Sequence, residues 1–185
     1  MVRGTLFLVV GPSGVGKDSL LDGARAALAD GDYVFARRVI TRPADAGGET
    51  HYEASAADFA AMREAGAFAL SWRANGLDYA IPAEIETHLA HGRHVVANVS
   101  RTVIDEARAR YRPLRVICVA APAEIVARRL AARGRESAAD IAARLARGGA
   151  LAVPEGPDVA VVVNDASLET GITRMLTALR ATAIA

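Results

Sequence analysis

The sequence predicts an α/β fold: a parallel sheet with helices on both faces, and a phosphate-binding loop at its first turn. Three observations carry that prediction. Apolar segments alternate along the chain with amphipathic helical runs. Strand candidates such as Val95-Val96-Ala97 and Val159–Val163 are apolar at every residue, as strands buried on both faces are. The segment Gly11-Pro12-Ser13-Gly14-Val15-Gly16-Lys17-Asp18 follows the apolar run Leu6–Val10 and precedes an amphipathic run (Leu20, Leu21, Ala24, Ala27, Leu28). That is the strand–loop–helix setting in which G-x-x-x-x-G-K cradles phosphates on inward backbone N–H groups.

Taken in order, the strand candidates are Thr5–Val10, Val34–Ile40, His94–Val99, Arg115–Val119 and Val159–Val163. The helical runs are Lys17–Ala29, Ala56–Ala65, Pro82–His91, Thr102–Tyr111, Pro122–Ala132, Ala138–Arg147 and Ser167–Ala183. Glycine and proline punctuation separates them, at Asp30-Gly31-Asp32, Gly92, Gly148-Gly149 and Pro154-Glu155-Gly156-Pro157. Residues Thr50–Tyr79 interrupt the βα rhythm with short β-like pieces, Phe68–Trp72 and Leu77–Ala80, around one helix. They read as an insertion forming a small substrate lobe within about residues 35–80. With 185 residues and no repeat or linker, one domain spanning 1–185 is expected.

Composition narrows the partners. A net charge of +1 gives no global field that would call for nucleic acid or a membrane surface. The one cysteine, Cys118, lies in an apolar run and reads as a small buried hydrophobe. A single cysteine allows no intrachain disulfide, which is compatible with a reducing compartment. The N-terminal apolar run is too short for a signal or a membrane span. A cytoplasmic protein is therefore expected, and a homodimer is compatible with such a domain. His51, His88, His91 and His94 have no metal-ligand spacing. His51, beside Tyr52, is a candidate substrate contact.

Lys17 is the only lysine among 22 basic residues. A compact ammonium fits a tight loop around two phosphates where a planar guanidinium fork does not. The arginines fall into two clusters. Arg37, Arg38 and Arg42 lie at the carboxyl end of the second strand candidate, where α/β sheets place their ligand crevice. They read as a pocket for a phosphorylated substrate or as a solvated strand edge. Arg128, Arg129, Arg133, Arg135 and Arg144 flank a glycine-hinged break at Arg133-Gly134-Arg135. That break reads as a lid over about residues 128–147 or as a helical hairpin with charged faces. Asn164-Asp165 either faces a bound base or caps the helix that starts near Ser167.

These pieces, in this order, resemble the guanylate kinase family of P-loop phosphotransferases over nearly the whole chain. The matching segments are GPSGVGKD (11–18), ITRP (40–43), GETHYE (48–53), GAFALSWRANGLDYAIP (66–82), HGRHVVANVS (91–100), RRLAARGRESAADIAARL (128–145) and VVVND (161–165). The resemblance implies a P-loop kinase core with a five-stranded parallel sheet, a small substrate-binding insertion and a helical lid. The departures are specific. Asp45 stands where the family has a second arginine, Leu70 where it has a guanine-reading glutamate, and Asn98 and Ser100 replace an acidic pair. Without that glutamate the guanine amino groups lose their partner.

The same departures are similar to the ribose 1,5-bisphosphate kinase branch, in GPSG-x-GKDSLL, FALSW-x-A-x-GL-x-Y and N-x-S-R (Asn98, Ser100, Arg101). This implies transfer of the ATP γ-phosphoryl group to a small phosphorylated sugar, ribose 1,5-bisphosphate, with ATP and Mg²⁺ as cofactors. ATP is expected on Gly11, Pro12, Ser13, Gly14, Val15, Gly16, Lys17, Asp18, Ser19 and Asn164. Asp18, where the motif has Ser or Thr, is expected to meet Mg²⁺. Arg38, Arg42, Tyr52, Tyr79, Asn98 and Ser100 are the expected acceptor contacts. Lys17, Arg133, Arg135 and Arg144 are expected on the transferring group. A nucleoside-monophosphate kinase of altered specificity, and a non-catalytic binding module, are the alternatives.

Overall fold

The computed structural model describes residues 2–29, 31–45, 49–132, 142 and 153–181. Five strands form one parallel sheet: β1 (Leu6–Val10), β2 (Tyr33–Phe35), β7 (His94–Asn98), β8 (Leu114–Ala120) and β9 (Val159–Val163), in the order β2-β7-β1-β8-β9. β1 is central, with Leu8 opposite Ala97 on one side and Val116 on the other. All five of its residues are fully buried. Alternation along β1 sends Leu6, Leu8 and Val10 to one core and Phe7 and Val9 to the other. The second core is closed by α1 (Lys17–Ala27), α5 (Ala123–Ala132) and α6 (Leu168–Arg180) through Leu20, Val126, Leu130 and Met175. The first is closed by α3 (Ile85–Ala90) and α4 (Ile104–Arg110) through Ile85, Leu89, Ile104 and Ala107.

A second sheet carries the insertion. It consists of β3 (Val39–Ile40), β4 (Tyr52–Glu53), β5 (Phe68–Ala74) and β6 (Leu77–Pro82), in the order β4-β3-β6-β5, with α2 (Ala56–Glu64) packed on one face through Phe59. β5 and β6 form an antiparallel hairpin about a two-residue Asn75-Gly76 turn.

Two expectations are corrected. The strand expected over Val34–Ile40 is two strands in two sheets. The last main-sheet bond is donated by Ala36 N–H to Val96, and the chain then turns out through Arg37 and Arg38. Two adjacent guanidinium groups cannot continue into a sheet covered on both faces. The run Val159–Val163 is not buried on both faces. β9 is an outer strand, so Val161 and Val163 are 51% and 39% exposed and only Val162 is core.

Helix bounds otherwise shift by a few residues. Pro82 ends β6 instead of opening a helix, and a 3-10 turn at Arg101–Val103 precedes α4. Helix Ala138–Arg147, and with it Arg133, Arg135 and Arg144, lies outside the described residues. No helix among the described residues is long and apolar enough to cross a membrane.

Candidate active site

The site is built on the carboxyl ends of β1 and β7 and on the neighbouring edge of the second sheet. β1 ends at Val10 and the chain turns at Gly11, where an added Cβ would lie 2.4 Å from the Val119 carbonyl oxygen. Gly16 precedes α1 with φ of 94°, a left-handed value that L side chains rarely adopt. A Cβ there would meet the Asn164 amide nitrogen at 2.5 Å. The loop is thus shaped by backbone geometry and braced from outside. Asn164, 3% exposed, donates its amide to the Val15 carbonyl at 2.7 Å, and Arg129 donates to the same oxygen at 3.2 Å.

Lys17, the first residue of α1, folds back over this loop. Its ammonium donates to the carbonyls of Gly11 at 2.7 Å and Pro12 at 3.0 Å. Burial lowers its pKa to about 8, with Arg38 and Arg101 pushing the same way and Asp18 and Glu49 opposing. The charges that act on it come from both halves of the molecule, the loop side and the insertion. Asp18 is exposed and accepts a hydrogen bond from the Asn98 amide at 3.1 Å, which ties α1 to the end of β7. Ser19 is exposed, as is Ser13 at the loop crest. Ser100 turns its hydroxyl to the Thr102 amide at 3.3 Å, where it starts the turn that carries Arg101.

Across the crevice, Arg38 is gripped by Glu49. Its Nε donates to one carboxylate oxygen at 2.7 Å and its Nη2 to the other. The guanidinium lies 5.2 Å from the Tyr79 ring centre, and Tyr79 stacks on Trp72 at 5.5 Å with 5° between planes. Arg37 donates to the His51 carbonyl at 2.8 Å and lies 4.1 Å over the Tyr52 ring. Arg42 Nη2 is 3.4 Å from His51 Nδ1, and its buried Nε has no hydrogen-bond partner. A small cavity of about 40 Å³ between the two halves is lined by Asp18, Asp22, Glu49 and Asn98. A larger groove, about 580 Å³, lies elsewhere, between β9 and α6; its charged groups, Arg174 and Asp165, pair with each other at 2.6 Å.

The fold therefore brings Lys17, Asp18 and Asn98 together at the ends of β1 and β7 and sets Arg38, with Tyr79 against it, near enough to Lys17 to shift its pKa; Arg42 lies with His51, and Asn164 braces the loop from its buried side. Asn164 does not cap the last helix; Ser167 does, accepting from the Thr170 amide at 3.3 Å. Leu70, expected at a base-reading position, is 1% exposed and belongs to the core cluster of Ile81 and Ile85. Sequence reasoning missed Glu49 and Trp72, and named Arg129 only as part of the lid cluster, not as a brace of the phosphate loop. Glu49 lies within the quoted GETHYE piece and Trp72 is the only tryptophan. Both signals were present without a partner to give them meaning.

No family model matches the chain. Across 179 residues it is 48% identical to the ribose 1,5-bisphosphate phosphokinase PhnN of Methylobacterium radiotolerans, covering 96% of this chain and 98% of that one. The chain belongs to the ribose 1,5-bisphosphate phosphokinase family. It is also 52% identical over 177 residues to the bifunctional ribose 1,5-bisphosphokinase-thymidine phosphorylase of Cupriavidus necator, covering 96% of this chain and 29% of that protein. The chain thus spans about three-tenths of the length of that bifunctional relative. The guanylate kinase of Anaplasma phagocytophilum superposes with a TM-score of 0.70 at 19% identity, covering 100% of this chain and 88% of that one. Family membership thus coexists with a guanylate kinase fold, as the sequence resemblance implied.

Proposed function

We propose that this chain transfers the γ-phosphoryl group of ATP to the 1-phosphate of ribose 1,5-bisphosphate, giving 5-phosphoribosyl 1-diphosphate and ADP. The carrying observation is the near full-length match to a relative named for that activity. The crevice supports it, because the glycine loop with Lys17 on one side faces an arginine-rich wall on the other. An oxygen of the acceptor phosphate attacks the γ-phosphorus, the bond to the β,γ-bridging oxygen breaks, and ADP leaves with that electron pair. The acceptor phosphate is already ionised, so no general base is needed, and catalysis rests on positioning and charge. Lys17 and the loop N–H groups hold the β- and γ-phosphates. Arg42, Arg38, Tyr52 and Tyr79 hold the acceptor, with Asn98 and Ser100 at the floor. Arg133, Arg135 and Arg144 are assigned from sequence to the transferring group.

The residues present fit Mg²⁺. Asp18 offers an exposed hard carboxylate at the loop, oriented by the Asn98 amide. Among the described residues no three His, Cys, Asp or Glu side chains converge as a cage. This suits a cation held by one or two carboxylates together with substrate phosphates. When bound, Mg²⁺ supplies charge neutralisation to those phosphates. Asp18 would hold it, directly or through water.

The test is a panel of ribose 1,5-bisphosphate, GMP and AMP, each with ATP and Mg²⁺, read by ³¹P NMR. Diphosphate resonances of the sugar product, with GMP and AMP unchanged, are expected. Conversion of GMP alone would replace this reading with the nucleotide kinase one, and ATP binding without turnover of any acceptor would favour a binding module.

A further inference from the structure

His51 is buried to 1% exposure, yet it lies in the segment between Arg42 and β4. Its ring nitrogens face the backbone at two points. Nε2 lies 3.0 Å from the Arg42 carbonyl oxygen, and Nδ1 lies 3.1 Å from the Glu49 carbonyl oxygen. Nδ1 is also 3.4 Å from Arg42 Nη2. Its own carbonyl accepts the Arg37 guanidinium at 2.8 Å. The next residue, Tyr52, donates its N–H to Arg38 at 2.8 Å and lies beneath the Arg37 guanidinium. The buried imidazole therefore meets Arg42 at two of its atoms, and the His51 carbonyl holds Arg37.

We infer that His51 is a positioning residue for the acceptor phosphate, clasping Arg42 by its carbonyl and its guanidinium so that Arg42 is presented to the ligand. This rests on the proposed function in one respect only, that the acceptor is a phosphate. The geometry assigns the ring atoms distinct tasks. With the ring proton on Nε2, that nitrogen donates to the Arg42 carbonyl and Nδ1 accepts from Arg42 Nη2; the Glu49 carbonyl is then a neighbour and not a hydrogen-bond partner. The Arg42 backbone and guanidinium are then held by one side chain, in a cluster where a mobile guanidinium would cost ordering entropy on each binding event. A buried ring needs these partners, since unsatisfied polar atoms are costly in the interior. Nothing in the clasp touches the loop that holds Lys17, so donor binding should not depend on it.

The test separates the two nitrogens. In His51→Gln the side-chain amide nitrogen reaches the Nε2 position; in His51→Asn the shorter amide reaches only the Nδ1 position. The expected result with saturating ATP is a rise of about tenfold in acceptor KM for His51→Ala and His51→Asn, the loss of the hydrogen bond to the Arg42 carbonyl. His51→Gln should recover most of it, with kcat and the ATP KM unchanged in all three. Equal acceptor KM values for Gln and Asn, or a parallel fall of kcat and both affinities, would overturn the assignment. Each variant is run with whichever of ribose 1,5-bisphosphate or GMP the unmodified protein converts, so failure of the proposed acceptor remains distinct from failure of the clasp. A second measurement needs no acceptor. Phenylglyoxal should label Arg42 faster in folded His51→Ala and His51→Asn than in the unmodified protein or His51→Gln, read by peptide mass spectrometry; identical rates across the set would also sink the idea.

Discussion

The amide of Asn164 donates to the carbonyl of Val15 at 2.7 Å, joining positions 149 residues apart in the sequence. Asn164 follows the last strand of the parallel sheet, and Val15 lies in the phosphate loop. The bond therefore fixes the loop against the sheet that delivers it. Both atoms are buried, so loss of the donor leaves a buried carbonyl short of one partner. Asn164→Ala should lower stability by about 1–3 kcal/mol, read as a shift in the urea midpoint at constant m. Asn164→Asp should cost more, because an ionised carboxylate would face the carbonyl oxygen. An Asp variant as stable as the parent would show that the brace is dispensable.

Gly16 shares this contact. An alanine there meets two separate penalties: a left-handed φ of 94°, costing about 1–2 kcal/mol, and a Cβ 2.5 Å from the Asn164 amide nitrogen. The second penalty vanishes when Asn164 is also truncated, whereas the first does not. Gly16→Ala with Asn164→Ala should then be less destabilised than the sum of the single changes. Strict additivity in a double-mutant cycle would mean that the loop relaxes away from Asn164.

Lys17 predicts a pH dependence of donor binding. Burial holds its pKa at about 8 in the free protein. Bound polyphosphate adds negative charge and raises it again. Below pH 8 both free and bound forms carry the proton, and affinity is flat. Above pH 8 the free protein has lost it, so binding takes up one proton and weakens up to tenfold per pH unit. Calorimetry at pH 9 in buffers of different ionisation enthalpy should report uptake near one proton, absent in Lys17→Met.

Legibility followed locality. The phosphate loop was readable because its determinants are contiguous and stand between an apolar strand and an amphipathic helix. The interior strands β1 and β7 were readable because burial on both faces leaves an uninterrupted apolar run. The division between β2 and β3 was not, since Val34–Ile40 contains no glycine or proline to mark it. Nor was the exposure of Val161 and Val163, which depends on β9 lying outermost, a fact about strand order. In the crevice the arginine cluster was visible, but what each guanidinium touches was not. Glu49 reaches Arg38 across 11 positions of sequence that include β3, and no helical or strand period marks that spacing. Arg129 read as one charge on a helical face until the fold brought it to Val15.

Asp18 predicts the metal response. If its carboxylate meets Mg²⁺ in the ternary complex, Asp18→Asn should raise the Mg²⁺ concentration for half-maximal activity by about tenfold while leaving the fold intact. The Asn98 amide, which now donates to that carboxylate, would face an amide of either orientation. Asn98→Ala should then produce the same shift in weaker form. A Mg²⁺ titration superimposable on the parent would remove Asp18 from the metal site.

The Arg38–Glu49 pair makes a prediction of opposite signs. Both groups act on Lys17, with Arg38 pushing its pKa down and Glu49 pushing it up. Their side chains are mostly buried and face each other bidentately, so each is held at a fixed distance from the ammonium. Glu49→Gln removes the negative partner. The Lys17 proton is then lost at lower pH, and the decline in ATP affinity should begin below pH 8. Arg38→Gln removes the positive one, and the decline should begin above pH 8. Arg38→Lys keeps the charge, leaving the ATP profile near the parent's, but a point charge cannot span two oxygens or stack on Tyr79. It should instead raise the acceptor KM by about tenfold. Calorimetric ATP titrations across pH 7 to 10, with acceptor kinetics at one pH, resolve all three variants. Shifts of the same sign in the two glutamine variants would mean that the Arg38–Glu49 pair acts on Lys17 through structure and not through charge.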